Sequence, residues 1–266
     1  MLNWQQGDLG NLLDSKGEKR LAQKKARMKN LLKIAEPDEA LYREIMLSLG
    51  YKNNKIQFLE LAMILPYSEI CKFKTEEKIE KALFYRAGFI NMGDGLPKDF
   101  DFSLKMEKSV WNYKGIRPAN FPEKRIKSIS GLLFESCEKG LFKYFKQKIE
   151  ENYTQVIEKS KAVRVVNKII SFQGAGKTRR LEIFFNIILP FFEVIFENGG
   201  KKENVKFLED LYSNHPPLLD NSVTKSMKRE LFKEQNESDV INSVKRYMGL
   251  IQLYNEAVKE EENDNT

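Results

Sequence analysis

Residues 174–196, GAGKTRRLEIFFNIILPFFEVIF, decide the fold. They open like a loop that grips phosphate and go on as something else. A phosphate-binding loop needs a glycine five residues before its Gly-Lys-Thr, so that the chain can curl and turn several backbone N–H groups toward the anion. Here that position is Ser171. A dinucleotide fingerprint fails as well, because Gly174 and Gly176 are followed by Arg179 where a third glycine belongs. Residues 163–170, VRVVNKII, fit a strand, and equally a helix through Ala162, Val165, Val166 and Ile169. No apolar strand ending in a magnesium-binding aspartate stands elsewhere, so the pattern argues against a nucleotide hydrolase.

From Thr178 onward the spacing is helical. Glu182, Asn186, Pro190 and Glu193 form one narrow polar stripe, and Ile183, Phe184, Ile187, Ile188, Phe191, Phe192 and Ile195 cover the rest. Such a helix must be buried around most of its circumference. The reading is therefore all-α: a compact multi-helix array around a buried central helix near 178–197, kinked at Pro190, where the ring lacks an N–H. Glu182 and Glu193 stand three turns apart, so with Asn186 they read as a buried, satisfied polar stripe rather than an acid/base pair.

Working outward, apolar residues recur at i, i+3, i+4 and i+7. Pro37, Asp38 and Glu39 open a helix through Leu41, Ile45 and Leu49 that stops at Gly50. A second runs from Asn54 through Phe58, Leu61 and Leu65 to Pro66. A third starts at Thr75, a good cap, and ends at Gly88. Residues 89–102, with Asp94, Asp99 and Asp101 among glycines and a proline, lack calcium-loop spacing and read as a solvated connector. Pro122 opens a helix through Ile126, Ile129, Leu133 and Cys137 that breaks at Gly140, and Ser238 reads as the cap of a last helix through Ile241, Met248 and Val258. The expected organisation is a basic, partly solvated helical segment over 1–35, one all-α domain over 36–258, and a disordered acidic tail over 259–266.

The chain has 266 residues, 41% of them hydrophobic, enough for a sizeable core. Its 45 basic residues against 38 acidic ones leave a formal charge of +7, a mild pull toward polyanions. Cys71, Cys137 and the single His215 are too few for a zinc site, and His215 has no nucleophile motif beside it. No metal and no cofactor are expected. The first residues lack a basic and apolar leader, and the most apolar window, 181–196, is short and carries Glu182, Asn186 and Glu193. A cytoplasmic protein without membrane contact is the expectation.

Two basic segments carry the functional reading. In 111–126, WNYKGIRPANFPEKRI, a rigid Pro-x-x-x-Pro turn presents Arg117, Asn120, Lys124 and Arg125, with Trp111 and Phe121 as candidate stacking platforms. Lys177, Arg179 and Arg180 sit at the start of the central helix, where an anion meets backbone N–H groups. The competing reading makes the aromatics a cap on the core and pairs the arginines with Glu123, Glu182 and Glu193.

An ordered series of segments carries a resemblance. ALYREIMLSLGYKNNKIQFLELA (40–62), IRPANFPEKRI (116–126), GKTRRLEIFFNIILPFF (176–192), DNSVTKSM (220–227) and GLIQLY (249–254) together resemble a bacterial family known as domain of unknown function 2851, over roughly residues 10–258. Its recurrent positions match at Arg117, Pro118, Asn120, Pro122, Arg125, Gly176, Arg179, Asn186 and Pro190, and GAGKT is similar to an ordinary loop of that family. Met248 replaces a glutamine before Gly249, and Gln252 replaces a histidine. The resemblance is to the C-terminal helical half of typical members, which begin with a nuclease-like segment. It implies a non-catalytic helical module that binds nucleic acid or serves a nuclease-like partner domain. The alternative is a structural or protein-interaction domain.

Overall fold

The computed structural model describes residues 6–50, 53–91, 95–155, 158–232 and 237–264, and the regular structure among them is all helical. In chain order the helices are α1 (Gln6–Leu31), α2 (Pro37–Leu49), α3 (Lys55–Ile64), α4 (Tyr67–Ile70), α5 (Glu76–Arg86), α6 (Pro122–Ser136), α7 (Leu141–Glu151), α8 (Lys159–Ile169), α9 (Lys177–Ile183), α10 (Leu189–Asn198), α11 (Lys202–Asn214), α12 (Ser222–Phe232), α13 (Glu237–Val240) and α14 (Val244–Asp264). Two compact units result. The first comprises residues 31–151 and 170–183; the second comprises residues up to 30, 152–169, and the chain from 184 onward.

In the first unit α2 packs on α3, α4 and α7, while α6 packs on α5 and α7. The helix starts follow local chemistry. Pro37 opens α2 with Asp38 and Glu39 in the first turn, and Thr75 Oγ1 accepts the Lys78 N–H at 3.3 Å to cap α5. The apolar stripes meet inside: Leu41, Ile45, Phe58, Ile79, Leu83, Ile126, Leu133 and Phe145 are all fully buried. Each such side chain contributes about 1.5–3 kcal/mol of hydrophobic stabilisation. Cys71 and Cys137, weighed in the sequence only as too few for a zinc site, are joined as a disulfide between the ends of α4 and α6.

In the second unit α10 packs on α11, which also meets α8 and α14, and α12 packs on α14. Phe191, Phe192, Val194 and Phe196 of α10 are buried. Ahead of Pro190 the helix widens into a π-helical turn over Phe184–Ile188. Proline at 190 cannot donate to the Asn186 carbonyl one turn back. The Lys24 ammonium donates to that carbonyl instead, at 3.3 Å.

Helix α1 is tied down along its length. Leu9, Leu13 and Met28 are buried, Lys16 and Lys19 pair with Glu256, and Lys25 and Lys29 pair with Glu197. The last long helix starts later than the sequence suggested. Ser243, not Ser238, supplies its cap, its Oγ accepting the Arg246 N–H at 3.3 Å, and the chain leaves helical geometry between α13 and α14. At its far end α14 extends to Asp264.

Candidate nucleic-acid interface

Both basic segments belong to the first unit. Residues 111–121 form a loop with a short 3-10 turn at Pro118–Asn120 that runs into α6. The Asn120 N–H donates to Arg117 O at 2.8 Å, and Pro122 starts α6 directly after. This is the rigid segment that the two prolines prescribe.

The GAGKT loop is latched onto α6. Ser128 and Gly131 of α6 lie against it so closely that a Cβ on Gly174 would sit 2.5 Å from Ser128 O, and one on Gly131 3.1 Å from Gln173 O. Gly174 has φ +90°, a conformation that suits glycine. The Gln173 N–H donates to Glu135 Oε1 at 3.1 Å, and Ala175 is buried. A backbone donor that a phosphate cradle would require is thus spent on α6. The residues before the loop form α8, so the strand that precedes a phosphate-binding loop is a helix here.

The basic residues separate into two groups. Arg125 is buried, its guanidinium donating to Leu49 O at 2.8 Å and Asn120 O at 2.9 Å. Arg180 donates to Ile170 O and Phe172 O, at 3.2 and 3.1 Å, and lies over the Phe172 ring. Arg179 is half-buried and pairs with Glu182 at 2.8 Å. All three are thus engaged within the first unit, Arg125 and Arg180 on backbone carbonyls and Arg179 on a carboxylate. Arg117, Lys124 and Lys177 are exposed, with no ion-pair partner among the described residues. Lys127, which the sequence reading passed over, is exposed on α6 and pairs with Glu80 at 3.8 Å. Its place three residues after Lys124 on an amphipathic helix was the available signal.

The aromatic platforms separate likewise. Trp111 is 4% exposed, donates Nε1–H to Ala87 O at 2.7 Å, and packs between Phe58 and Phe89. Its indole belongs to the core and cannot stack on a base. Phe121 is half-buried, edge-on to Tyr113 at 5.0 Å. The Tyr113 hydroxyl donates to Glu123 Oε1 at 2.6 Å, and burial, reinforced by Glu123, pushes its phenol above the usual range.

Glu182 belongs to the first unit, Asn186 and Glu193 to the second. Asn186 is half-buried, and Glu193 is fully buried with Lys25 Nζ 3.0 Å from its Oε2. His215 is buried against Phe185 and its Nδ1 donates to Pro216 O at 2.7 Å. Of the connector aspartates, Asp94 lies outside the described residues, and Asp101 binds the Ser103 N–H and hydroxyl. Among the described residues no group of three or more His, Cys, Asp or Glu is arranged to hold a metal, and no helix is long and apolar enough to cross a membrane.

These features define an all-helical protein of two compact units, with exposed cations in both basic segments of the first. The chain belongs to the family described as "Protein of unknown function (DUF2851)", whose model matches residues 5–217. That match takes in most of the chain, so the expected restriction to the family's C-terminal helical half does not hold. No curated protein and no solved structure matches the chain significantly.

Proposed function

We propose that the chain is a helical binding module whose first unit takes the phosphates of a nucleic acid on Arg117, Lys124, Lys127 and Lys177. The observation that carries this reading is the division of labour among neighbours. Arg125 and Arg180 spend their donors on backbone carbonyls, whereas Arg117, Lys124 and Lys177 stay exposed and unpaired beside them. Cations kept clear of carboxylates on a rigid surface are what phosphate contacts require. Phe121, partly open, is the remaining candidate for stacking.

The test is fluorescence anisotropy with labelled single-stranded and duplex DNA and RNA across a salt series, on the wild type and on the triple variant Arg117→Glu, Lys124→Glu, Lys177→Glu. Each lost phosphate contact lowers the slope of log K against log salt by about 1. A slope reduced by about 3, with an unchanged far-UV spectrum, supports the interface. No binding by the wild type at low salt, or a slope untouched by the variant, sinks it.

A second reading has its own observation. Ile56 and Met63, seven residues apart on α3 and hence on one face, are 76% and 59% exposed. Paired exposed apolar side chains favour a protein-interaction role. Pull-down with wild type against an Ile56→Asp, Met63→Asp variant tests it; an identical set of captured proteins would remove that face from consideration.

A further inference from the structure

Cys71 and Cys137 each close a helix, α4 and α6, and their Cα atoms are 4.9 Å apart across 66 residues of sequence. Both are half-buried, and both line a cavity of about 630 Å3. That volume falls in the range of small-molecule pockets, about 300–1,000 Å3. The cavity wall carries Glu36, Asp38 and Glu39 against Arg43 and Lys139. Arg43 is already bound to Glu39 at 2.8 Å, so the wall is acidic on balance. A crosslink between two half-buried residues that line a ligand-sized, mildly acidic space is placed for a small thiol and disfavours an anionic one.

We infer that Cys71–Cys137 is a thiol-exchange site for a small neutral or cationic thiol. The two ends of the crosslink are unequal. Lys72, next to Cys71, is bound to Glu69 at 2.6 Å. Lys139, two residues from Cys137 and in the cavity wall, donates to the neutral Gln147 amide oxygen at 3.1 Å and forms no ion pair among the described residues. The sulfur that leaves best is the one whose thiolate is better stabilised, and that is Cys137. The incoming thiolate attacks Cys71 Sγ, the Cys71–Cys137 bond breaks, and Cys137 departs as a thiolate near Lys139. A second thiol attacks the outer sulfur of the mixed disulfide and releases Cys71. Two small thiols become one small disulfide, and the two electrons and two protons they give up convert the protein disulfide into two thiols.

Both cysteines stand at helix C-termini, where the negative end of the backbone dipole disfavours thiolates. The joined state is therefore favoured, and opening depends on Lys139. Reduction leaves the Tyr67 hydroxyl to Ser136 Oγ bond, 2.8 Å, as the neighbouring link between α4 and α6. Redox state thus sets how firmly these two helices are tied.

The experiment uses the full chain in native buffer, equilibrated with cysteamine and its disulfide at varied ratios, acid-quenched, differentially alkylated and read by mass spectrometry. The crosslinked fraction is expected to follow the ratio reversibly and to reach the same value from both directions. Early time points of reduction should carry cysteamine on Cys71 with Cys137 free, and Lys139→Gln should slow opening several-fold. At equal thiolate concentration, glutathione should open the crosslink more slowly than cysteamine. A crosslink that opens only in denaturant, thiols that stay free at the oxidising end, an adduct on Cys137, or glutathione reacting faster would each overturn the assignment.

Discussion

The guanidinium of Arg125, on the first turn of α6, donates to the carbonyl of Leu49, the last residue of α2, at 2.8 Å. A side chain that resembles a phosphate contact in sequence is a bolt between two helices. Arg125→Ala strips Leu49 O and Asn120 O of a charged donor in a buried setting, and each orphaned carbonyl costs about 1–3 kcal/mol. The expected result is a lower urea midpoint, with Lys124→Ala within about 0.5 kcal/mol of wild type, as befits an exposed side chain. Equal midpoints for the two variants would remove the structural role assigned to Arg125.

The second prediction concerns a cap supplied from far along the chain. Asp38 Oδ1 accepts the Phe142 N–H at 2.7 Å, across 104 residues, and so serves the start of α7. Gly140 precedes that helix with φ +86°, and a Cβ there would lie 2.5 Å from Asp38 Oδ2. Asp38→Ala loses a cap, worth about 1 kcal/mol. Gly140→Ala combines that loss with backbone strain and is expected to cost more, about 2 kcal/mol or above. Chemical denaturation of both variants ranks them, and an Asp38→Ala variant as stable as wild type would show that α7 does not depend on this contact.

The sequence was most legible where local chemistry decides. Pro37, Thr75 and Pro122 marked helix starts and Gly50 a helix end because caps and breakers act over one turn. The character of 163–170 stayed open between strand and helix, since apolar spacing suits both until neighbours are known. The cationic face was half legible. Arg117, Lys124 and Lys177 keep the exposure a binding role needs, but nothing local distinguishes them from Arg125 and Arg180, whose acceptors are remote carbonyls or lie across a loop. Trp111 misled for the same reason, because its acceptor, Ala87 O, is 24 residues away. Ser238 was read as the cap on local composition alone; the His215 carbonyl, which accepts the Val244 N–H, fixes the later start.

Glu193 predicts a pH dependence. Burial is the largest influence on its carboxyl and pushes it up to about 7; Lys25 pulls it back only in part, and Glu209 and Glu197 add to the rise. At Lys25 burial acts downward, but Glu197 and Glu193 together outweigh it and raise it, so Lys25 stays an ammonium. The unfolded carboxyl titrates near 4.5, and the folded one keeps its proton to about 7. The group's stabilising contribution is therefore complete below about 4.5 and is lost as pH rises to about 7. A shift of this size corresponds to on the order of 3 kcal/mol. Glu193→Gln removes the titration and leaves Lys25 its partner Glu197. The unfolding free energy of wild type should fall relative to the variant between pH 5 and pH 8, roughly the window of that titration. Parallel curves would refute the assignment.

The sharpest prediction is one of sign, at the crossing of α1 and α14. A Cβ on Gly249 would stand 2.0 Å from Leu13 O and 3.1 Å from Gly17 N, and one on Gly17 would stand 2.3 Å from Lys245 O. The two backbones touch because neither helix carries a side chain there. Arg246 fixes the register beside them, with Nε 3.1 Å and Nη2 2.9 Å from Asp14 Oδ2, and its guanidinium lies over Gly10. Alanine in an unencumbered helix interior is more stable than glycine by about 1 kcal/mol. Contact with backbone, which cannot swing aside as a side chain does, reverses that preference: Gly249→Ala and Gly17→Ala must push the helices apart and open the core around Leu13. Each is expected to destabilise by about 2 kcal/mol or more, in the range of overpacked cores. In the double variant the helices separate once for both substitutions, so the combined cost should fall short of the sum. Stabilisation by either alanine would mean that α1 is not seated against α14 as described.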